Sequence, residues 1–279
     1  MRLLPGLLIL GFTAGLAASA LAAPTALTDK QAQSLAQQAL AGDAKALVSL
    51  KTHAATKEPA AEFGLSAYYY ASDDKTQSMQ WLRKSAEHGF PQAQYNLAVL
   101  YKVGQGLPQD AAKSVMWFKR AAAQGLLKAQ VAVGLAYVSG AGVSQDYAEA
   151  AVWLQRAADR EDPGAEYALG RLYYDGQGLP QDYTKAFAWL QKAADQGETG
   201  AEAHLCNDYA IGAGVPVDFV AAYRWCSIAL SLADPASEAY DASRKVIATI
   251  GPSMSPKQIA EAQSQAGDWM HDFDSRRHP

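Results

Sequence analysis

The sequence predicts an all-α solenoid of helical hairpins, and two observations carry this prediction. Five of the six tryptophans recur at a step of 36 residues, at Trp81, Trp117, Trp153, Trp189 and Trp225. Within each step, two stretches with apolar residues at helical spacing flank a turn segment. A self-similar period of this length is typical of a solenoid, whose units bury their apolar faces against their neighbours and cannot fold alone.

The unit at residues 165–200 shows how one repeat is built. Its first half predicts helix A, over residues 165–175, with an apolar face of Ala165, Leu169, Leu172 and Tyr173. The following segment, GQGLPQD, ends this helix, because glycines permit left-handed backbone angles and proline cannot continue a helix. Asp182 is expected to cap helix B, whose inward residues are Ala186, Trp189, Leu190, Ala193 and Ala194.

The tryptophans are expected to form the spine of the core. Burial of one tryptophan side chain removes about 150–250 Å² from water, which is worth roughly 4–6 kcal/mol before entropy is subtracted. Small residues around each tryptophan, mostly alanines, allow the helices to approach closely.

Each unit resembles the Sel-1-like repeat family, a branch of the tetratricopeptide-like solenoids. The shared pattern is alanine, leucine four residues later, tyrosine four beyond that, then G-x-G-x-x-x-D and a helix-B tryptophan. The other full units carry it at Ala93, Leu97, Tyr101, Gly104, Gly106, Asp110; at Ala129, Val133, Tyr137, Gly140, Gly142, Asp146; and at Ala201, Leu205, Tyr209, Gly212, Gly214, Asp218. The resemblance covers residues 61–236 and implies a right-handed superhelix with helix A on the concave side, protein binding and no catalysis.

The repeat pattern predicts the division of the chain. A signal peptide at 1–23 and N-terminal capping helices at 24–60 precede a shortened repeat at 61–92, which lacks the glycine loop. Full repeats follow at 93–128, 129–164, 165–200 and 201–236, and C-terminal capping helices occupy 237–279. A capping box at Thr28 and Gln31 opens the first cap helix, to about Leu40, and a second runs from Ala44 to His53. After a helix at 236–250, Ser255, Pro256 and Gln258 predict the start of a last helix, through Trp269.

The first residues have the features of a secretory signal peptide. Arg2 precedes an apolar run from Leu3 to about Leu16, and small residues follow, so cleavage is expected after Ala22 or Ala23. The alternative is an uncleaved anchor, but the apolar run is shorter than the ~20 residues that span a bilayer. We expect a periplasmic or secreted protein without stable membrane insertion. The formal net charge of −4 gives no basic surface for nucleic acid.

The two cysteines predict a disulfide within the last repeat. Cys206 replaces the small residues Ala98, Gly134 and Gly170, and Cys226 replaces the large residues Phe118, Leu154 and Leu190. A cysteine pair in place of a small and a large residue that face each other is suited to a bridge, and export supplies the oxidising compartment. The alternative is two buried free thiols. Secreted cysteine-rich members of the resembled family staple their hairpins similarly, one helical turn nearer the far ends.

The resemblance also implies a partner-binding stripe on helix A, at positions spaced four and then three residues apart. These positions vary between units, whereas the buried positions stay nearly constant. A tyrosine-rich stripe with basic residues fits a protein or peptide partner with an acidic patch; the alternative is ordinary surface and inter-helix packing. The predicted binding residues are Phe63, Tyr70, Tyr95, Val99, Lys102, Leu135, Tyr167, Arg171, Tyr174 and Asn207.

A few other motifs would suggest an enzymatic function or a ligand site. Residues 72–75 spell S-x-x-K, a nucleophile motif of penicillin-recognising enzymes, and some cysteine-rich relatives are associated with β-lactams, so a secreted hydrolase of β-lactams or cell-wall peptides is the alternative function. The accompanying S-D-N and K-T-G motifs are missing.

The G-x-G pairs follow helices rather than strands, which disfavours phosphate binding. A C-terminal group, Asp268, His271, Asp272 and Asp274, is either a metal-binding face or a frayed acidic tail. We assign no metal or cofactor.

Overall fold

The computed structural model describes residues 26–277, and the predicted signal peptide and its cleavage site lie outside this range. The described residues form fourteen α-helices and a 3-10 turn at Gly251–Ser253. The helices are α1 (Asp29–Leu40), α2 (Ala44–Ala55), α3 (Pro59–Ala71), α4 (Lys75–Glu87), α5 (Pro91–Val103), α6 (Ala111–Ala123), α7 (Leu127–Ser139), α8 (Tyr147–Ala158), α9 (Pro163–Asp175), α10 (Tyr183–Asp195), α11 (Thr199–Ile211), α12 (Phe219–Leu232), α13 (Glu238–Ile250) and α14 (Pro256–Arg277).

The helices pair as antiparallel hairpins that stack in chain order, which confirms the all-α solenoid. From α3 to α12, each odd-numbered helix packs against the even-numbered helix that follows it, and each even-numbered helix packs against the first helix of the next hairpin. Helices α1 and α2 cover α3 at one end, while α13 and α14 cover α11 and α12 at the other. Within residues 26–277, no helix combines the length and the apolar character that crossing a membrane requires.

Aspartates and glycines define the hairpin turns as predicted. Asp182 accepts a hydrogen bond from the backbone N–H of Lys185 as the N-cap of α10, and Asp110, Asp146 and Asp218 cap their helices in the same way. The first glycine of each G-x-G pair ends a helix A with a left-handed backbone, at φ angles between 67° and 79°.

The second glycine of the pair has a role beyond the turn. A Cβ atom on Gly178 would overlap the backbone at Tyr147 and Ala148, where the helix B of the preceding hairpin begins. Gly142 and Gly214 approach the preceding hairpin in the same way. The absence of a side chain at this position therefore sets the distance between successive hairpins.

Several helices differ in extent from the prediction. The A helices begin two residues earlier than expected, since Asp162 caps α9 and Pro163 occupies its first position. Helix α2 continues two residues beyond His53 to Ala55. Helix α14 continues past Trp269 to Arg277, because Trp269 packs edge-on against Trp225 and Phe273 stacks on Trp269, which anchors this part of the helix. The interpretation of its acidic end as a frayed tail is therefore wrong.

The expectation that the tryptophans form the spine is wrong for three of the five. Trp117 and Trp225 are buried, whereas Trp81, Trp153 and Trp189 are half-buried. A cationic side chain three residues later covers the ring in four repeats, with a distance of 4.0–4.7 Å to the centroid: Lys84 on Trp81, Arg120 on Trp117, Arg156 on Trp153 and Lys192 on Trp189. Smaller apolar residues form the core instead, such as Leu97, Leu154, Leu169, Leu190 and Leu205.

The structure contains the predicted disulfide between Cys206 and Cys226, which joins α11 to α12. Two other hairpins show what the bridge replaces. A Cβ atom on Gly134 would lie 2.6 Å from the Leu154 side chain, and one on Gly170 would lie 2.9 Å from Leu190. The small and the large residue therefore do face each other across the hairpin.

Candidate partner-binding groove

The ten predicted binding residues, here called the groove stripe, lie on the A helices α3, α5, α7, α9 and α11. They are exposed or half-buried, and they alternate with the fully buried positions of the same helices. Among its apolar and aromatic residues Tyr70 is the most exposed, at 68%, and Leu135 is 46% exposed. The stripe is thus a surface feature of the helices whose opposite face forms the core.

Three stripe residues meet around a cavity between α5, α6 and α7. Tyr95 and Lys102 contribute from α5 and Leu135 contributes from α7, and the cavity volume is about 360 Å³. Phe118 of α6 forms part of the wall, with its ring centroid 5.3 Å from that of Tyr95. The cavity exists because Ala132 and Ala136 leave space on the face of α7 that points toward α5 and α6.

The charges around this cavity are of one sign. Lys102 and Lys128 line it, and no acidic side chain does. Neither lysine lies within ion-pair distance of an acidic group anywhere in residues 26–277. The cavity is therefore apolar with two unneutralised cations at its margin.

Four more stripe residues form a second, closed group. Tyr167, Arg171 and Tyr174 of α9 lie beside Asn207 of α11. The ring of His204 lies 5.8 Å from Tyr167 and 5.7 Å from Tyr174. Burial lowers the pKa of His204 and the positive charge of Arg171 lowers it further, which favours the neutral imidazole.

The two groups occupy equivalent places in the repeat, 72 residues apart. The space left open by Ala132 and Ala136 is the position of His204 and Asp208 in the second group, and Tyr174 replaces Lys102. These larger side chains pack against one another where the first group has a cavity. Sequence reasoning missed His204 and Asp208, although superposition of the repeats places both of them on this face.

The Asp208 side chain is a buried carboxyl group without a hydrogen-bond partner among the described residues. Burial raises its pKa to about 7. Its negative charge also contributes to the raised pKa of Tyr174, for which burial is the main cause.

The remaining stripe residues belong to neither group. The Phe63 ring packs against Phe90 with 5.0 Å between centroids, and Val99 is half-buried against the core cluster that extends from α1 to α7. Tyr70 stands alone near the end of α3. The structure therefore divides the predicted stripe into an open section, a closed section and a first part that belongs to neither.

The S-x-x-K segment forms a tight turn between α3 and α4. The Ser72 hydroxyl is exposed and donates a 2.9 Å hydrogen bond to the backbone oxygen of Tyr68, while the Lys75 ammonium lies 3.4 Å from Asp73. Ser72 ends α3, and Asp74 rather than Ser72 caps α4. The Ser72 hydroxyl thus bonds to a backbone oxygen, whereas a catalytic serine is hydrogen-bonded to a general base that activates it.

The C-terminal acidic group lies on α14. Over residues 26–277, no set of three or more His, Cys, Asp or Glu side chains is arranged to hold a metal ion.

The chain matches known proteins in two of three comparisons. A search of curated proteins found no match. Among solved structures, a Sel1 repeat protein from Oxalobacter formigenes superimposes with a TM-score of 0.68 at 27% identity, over 86% of this chain and 98% of that one. A protective antigen present in uropathogenic Escherichia coli strains, which displays an SLR fold, superimposes with a TM-score of 0.71 at 24% identity, over 88% of this chain.

The chain spans 54% of the length of that antigen, and this likeness concerns the fold. The family model described as the Sel1 repeat matches five consecutive segments, at residues 59–90, 91–126, 127–162, 163–198 and 200–234. These segments cover the helices from α3 to α12, apart from Thr199 at the start of α11. The chain therefore belongs to the Sel1 repeat family.

Proposed function

We propose that the protein is an exported, non-catalytic scaffold that binds a protein or peptide partner along the groove stripe, as an adaptor or regulator in the bacterial cell envelope. Sel1 repeats generally mediate protein–protein interaction. For this chain, we assign such an interaction to the residues of the groove stripe.

The main support is the contrast between two sets of positions on the same helices. Leu97, Val133, Leu169 and Leu205 occupy one position in successive repeats, and all are buried and aliphatic. Two residues earlier, the equivalent position holds Tyr95, Val131 and Tyr167, which are half-buried, and Ala203, which is buried. Packing accounts for the uniform set, whereas variation among the half-buried residues is what recognition of one particular partner requires.

Binding to such a stripe would need little ordering of the scaffold. The A helices are held by the hairpin partner and by the next hairpin, and α9 also by the Asp162 cap, so their side chains are presented on a rigid frame. Preorganisation of this kind reduces the conformational entropy lost on association. The partner would supply most of the conformational change.

Export is supported by the disulfide and by the sequence of the first residues. Disulfides persist in oxidising compartments such as the periplasm and are rare in the cytosol. The Cys206–Cys226 bridge fits such a compartment, as does the apolar run after Arg2.

Crosslinking and affinity purification from a periplasmic extract would test the proposal. The bait is the mature protein, compared with a Tyr167→Ala, Arg171→Glu, Tyr174→Ala variant. A control variant, Met116→Ala, Val152→Ala, Lys245→Glu, changes exposed residues outside the stripe by the same types of substitution. We expect the parent and the control to capture the same partner and the stripe variant to lose it at equal helix content. Capture that ignores the stripe, or no capture by the parent, would contradict the proposal.

A further inference from the structure

We infer that the cavity between α5, α6 and α7 binds one bulky apolar side chain of an extended peptide, which carries acidic residues on both sides of that anchor. The inference rests on the proposed function and identifies the partner by its chemistry.

The shape and lining of the cavity favour a single anchoring side chain. Its volume of about 360 Å³ lies at the lower end of the ~300–1,000 Å³ that is usual for ligand pockets. Phe118, Val131 and Leu135 supply apolar walls, and Leu135 leaves part of its side chain in contact with water. An apolar group that enters the cavity would cover this exposed surface, which is the favourable contribution expected from hydrophobic burial.

The two lysines fix the position of the acidic groups. Lys102 lies in the last turn of α5 and Lys128 lies in the first turn of α7. Because these helices stack in repeat register, the two positions are ten residues apart along the helix axis, or about 15 Å at a rise of ~1.5 Å per residue. An extended peptide covers that distance in about four to five residues at ~3.3 Å each. The anchor residue thus lies between two acidic residues that are about four positions apart.

Charge complementarity favours an acidic peptide over a basic one. The chain has a formal net charge of −4, yet the cavity carries two lysines and no acidic side chain. An acidic peptide would neutralise both cations, whereas a basic peptide would place like charges together.

The neighbouring levels of the solenoid lack this combination. One repeat further on, Leu172 takes the place of Ala136, Val138 that of Lys102 and Gly164 that of Lys128. Two repeats further on, Asp208 takes the place of Ala136, and Tyr174 and Gly200 replace the lysines. Of these three levels, only the one that contains the cavity combines two lysines, Lys102 and Lys128, with a small residue at Ala136.

The repeat also supplies a cavity-filling variant. Ala136→Leu fills the cavity with a leucine side chain. The equivalent position of the next repeat already buries a leucine, Leu172. Lys102→Glu with Lys128→Glu reverses the charges and leaves the cavity open. Lys245→Glu, on the exposed face of α13, is the control for a change in charge alone.

The experiment uses a displayed library of random nine-residue peptides selected on the mature protein. We expect enrichment of peptides with Phe, Leu, Met, Tyr or Trp between two acidic residues about four positions apart. Synthetic fluorescent copies of enriched peptides should bind at least tenfold more weakly to the Ala136→Leu variant and to the double lysine variant. Their affinity for the Lys245→Glu variant should change by less than twofold. Thermal unfolding of each variant confirms that the fold is retained.

Three results would overturn the inference. These are the absence of enrichment, enriched peptides without acidic residues, and peptide binding that Ala136→Leu leaves unchanged. If, in addition, partner capture ignores the Tyr167, Arg171 and Tyr174 changes, the proposed function fails as well; if capture still depends on them, only the cavity inference fails. Light scattering tests whether a second copy of the chain occupies the cavity. Dimerisation that Ala136→Leu abolishes would identify that copy, in place of a peptide, as the occupant.

Discussion

The carboxylate of Glu166 accepts a 2.8 Å hydrogen bond from the side-chain amide of Gln196, which caps the end of the second helix in the same hairpin. Three other hairpins join the same two positions. His88 lies 2.7 Å from the Glu62 carboxylate, Gln124 donates to Gln94 at 2.9 Å, and Arg160 donates to Gln130 at 3.4 Å. In these four hairpins the contact ties the start of helix A to the end of helix B.

The last hairpin breaks the series. Leu232 occupies the position of the donor, so the buried carboxyl group of Glu202 has no hydrogen-bond partner among residues 26–277. Burial, together with the negative charge of Glu198, raises the pKa of Glu202 to about 8. Glu202 is therefore a buried carboxyl group that is mostly protonated at neutral pH.

Replacement of Leu232 by glutamine should restore the missing contact. We expect Leu232→Gln to lower the pKa of Glu202 and to raise the free energy of unfolding above pH 8 by about 1 kcal/mol, the usual net value of one hydrogen bond. Urea unfolding at pH 8.5 measures the second effect. Leu40→Gln, at another exposed leucine, is the control and should not stabilise the protein. Equal effects of the two substitutions would argue against a specific contact.

Stability should fall as the pH rises through the neutral range. The folded-state pKa is about 8 for Glu202 and about 7 for Asp208, against ordinary values of 4.5 and 3.8, so the folded protein binds these protons more tightly than the unfolded chain. The stabilisation is therefore fully present below pH ~4 and is lost between about pH 4 and pH 8. Each group contributes a slope of up to ~1.4 kcal/mol per pH unit inside its own window.

A Glu202→Gln, Asp208→Asn variant isolates this effect from other titrations, such as that of His204, whose lowered pKa acts in the opposite direction. The difference in unfolding free energy between the variant and the parent should move in favour of the variant from pH 5 to pH 8. A difference that is flat with pH would show that the two carboxyl groups are not buried in the way described here.

Alanine at the second glycine of a turn should cost more where that glycine lies against the backbone of the preceding hairpin. Gly178→Ala forces a Cβ atom into the backbone at Tyr147, whereas a Cβ atom on Gly106 would meet only the end of the Met79 side chain, at 3.5 Å. Both glycines have a positive φ angle and share that strain. We expect Gly178→Ala to cost about 1–3 kcal/mol more than Gly106→Ala. Thermal unfolding of the two variants compares them directly, and equal losses would refute the close-approach explanation.

Reduction of the Cys206–Cys226 bridge should destabilise the last hairpin. The bridge closes a loop with a sequence separation of 20, which corresponds to about 3 kcal/mol on the chain-entropy estimate. We expect dithiothreitol to lower the unfolding free energy of the parent by about that amount. It should have no effect on a Cys206→Gly, Cys226→Leu variant, which copies the Gly134–Leu154 and Gly170–Leu190 pairs. An unchanged parent after reduction would mean that the bridge does not contribute to stability.

The sequence was sufficient for features that depend on one repeat at a time. The Asp182 cap, the left-handed Gly176 and the Cys206–Cys226 pair follow from local backbone rules and from comparison of equivalent positions. Burial of the tryptophans was overestimated, because the sequence period shows that Trp153 and Trp189 recur but not that Arg156 and Lys192 cover their exposed faces.

The cavity depends on side chains from three helices and on the absence of bulk at Ala132 and Ala136, so the pattern of one repeat does not reveal it. The extent of α14 likewise depends on a tertiary contact, between Phe273 and the turn at Gly197. The unpartnered Glu202 could have been found from the sequence, since Leu232 interrupts a series of polar residues at an equivalent position.

Site-specific photo-crosslinking in living cells tests the central claim most directly. A photoreactive amino acid is placed at Tyr95 or Leu135, beside the cavity, and in parallel at Met116 or Val152, which are exposed on the second helices. Met116 lies on the face of α6 opposite the residues that line the cavity, by the 100° turn per helical residue. The groove account predicts one partner crosslinked from Tyr95 and Leu135 and none from Met116 and Val152. Crosslinks from the second helices alone would place the partner on the other face and contradict it.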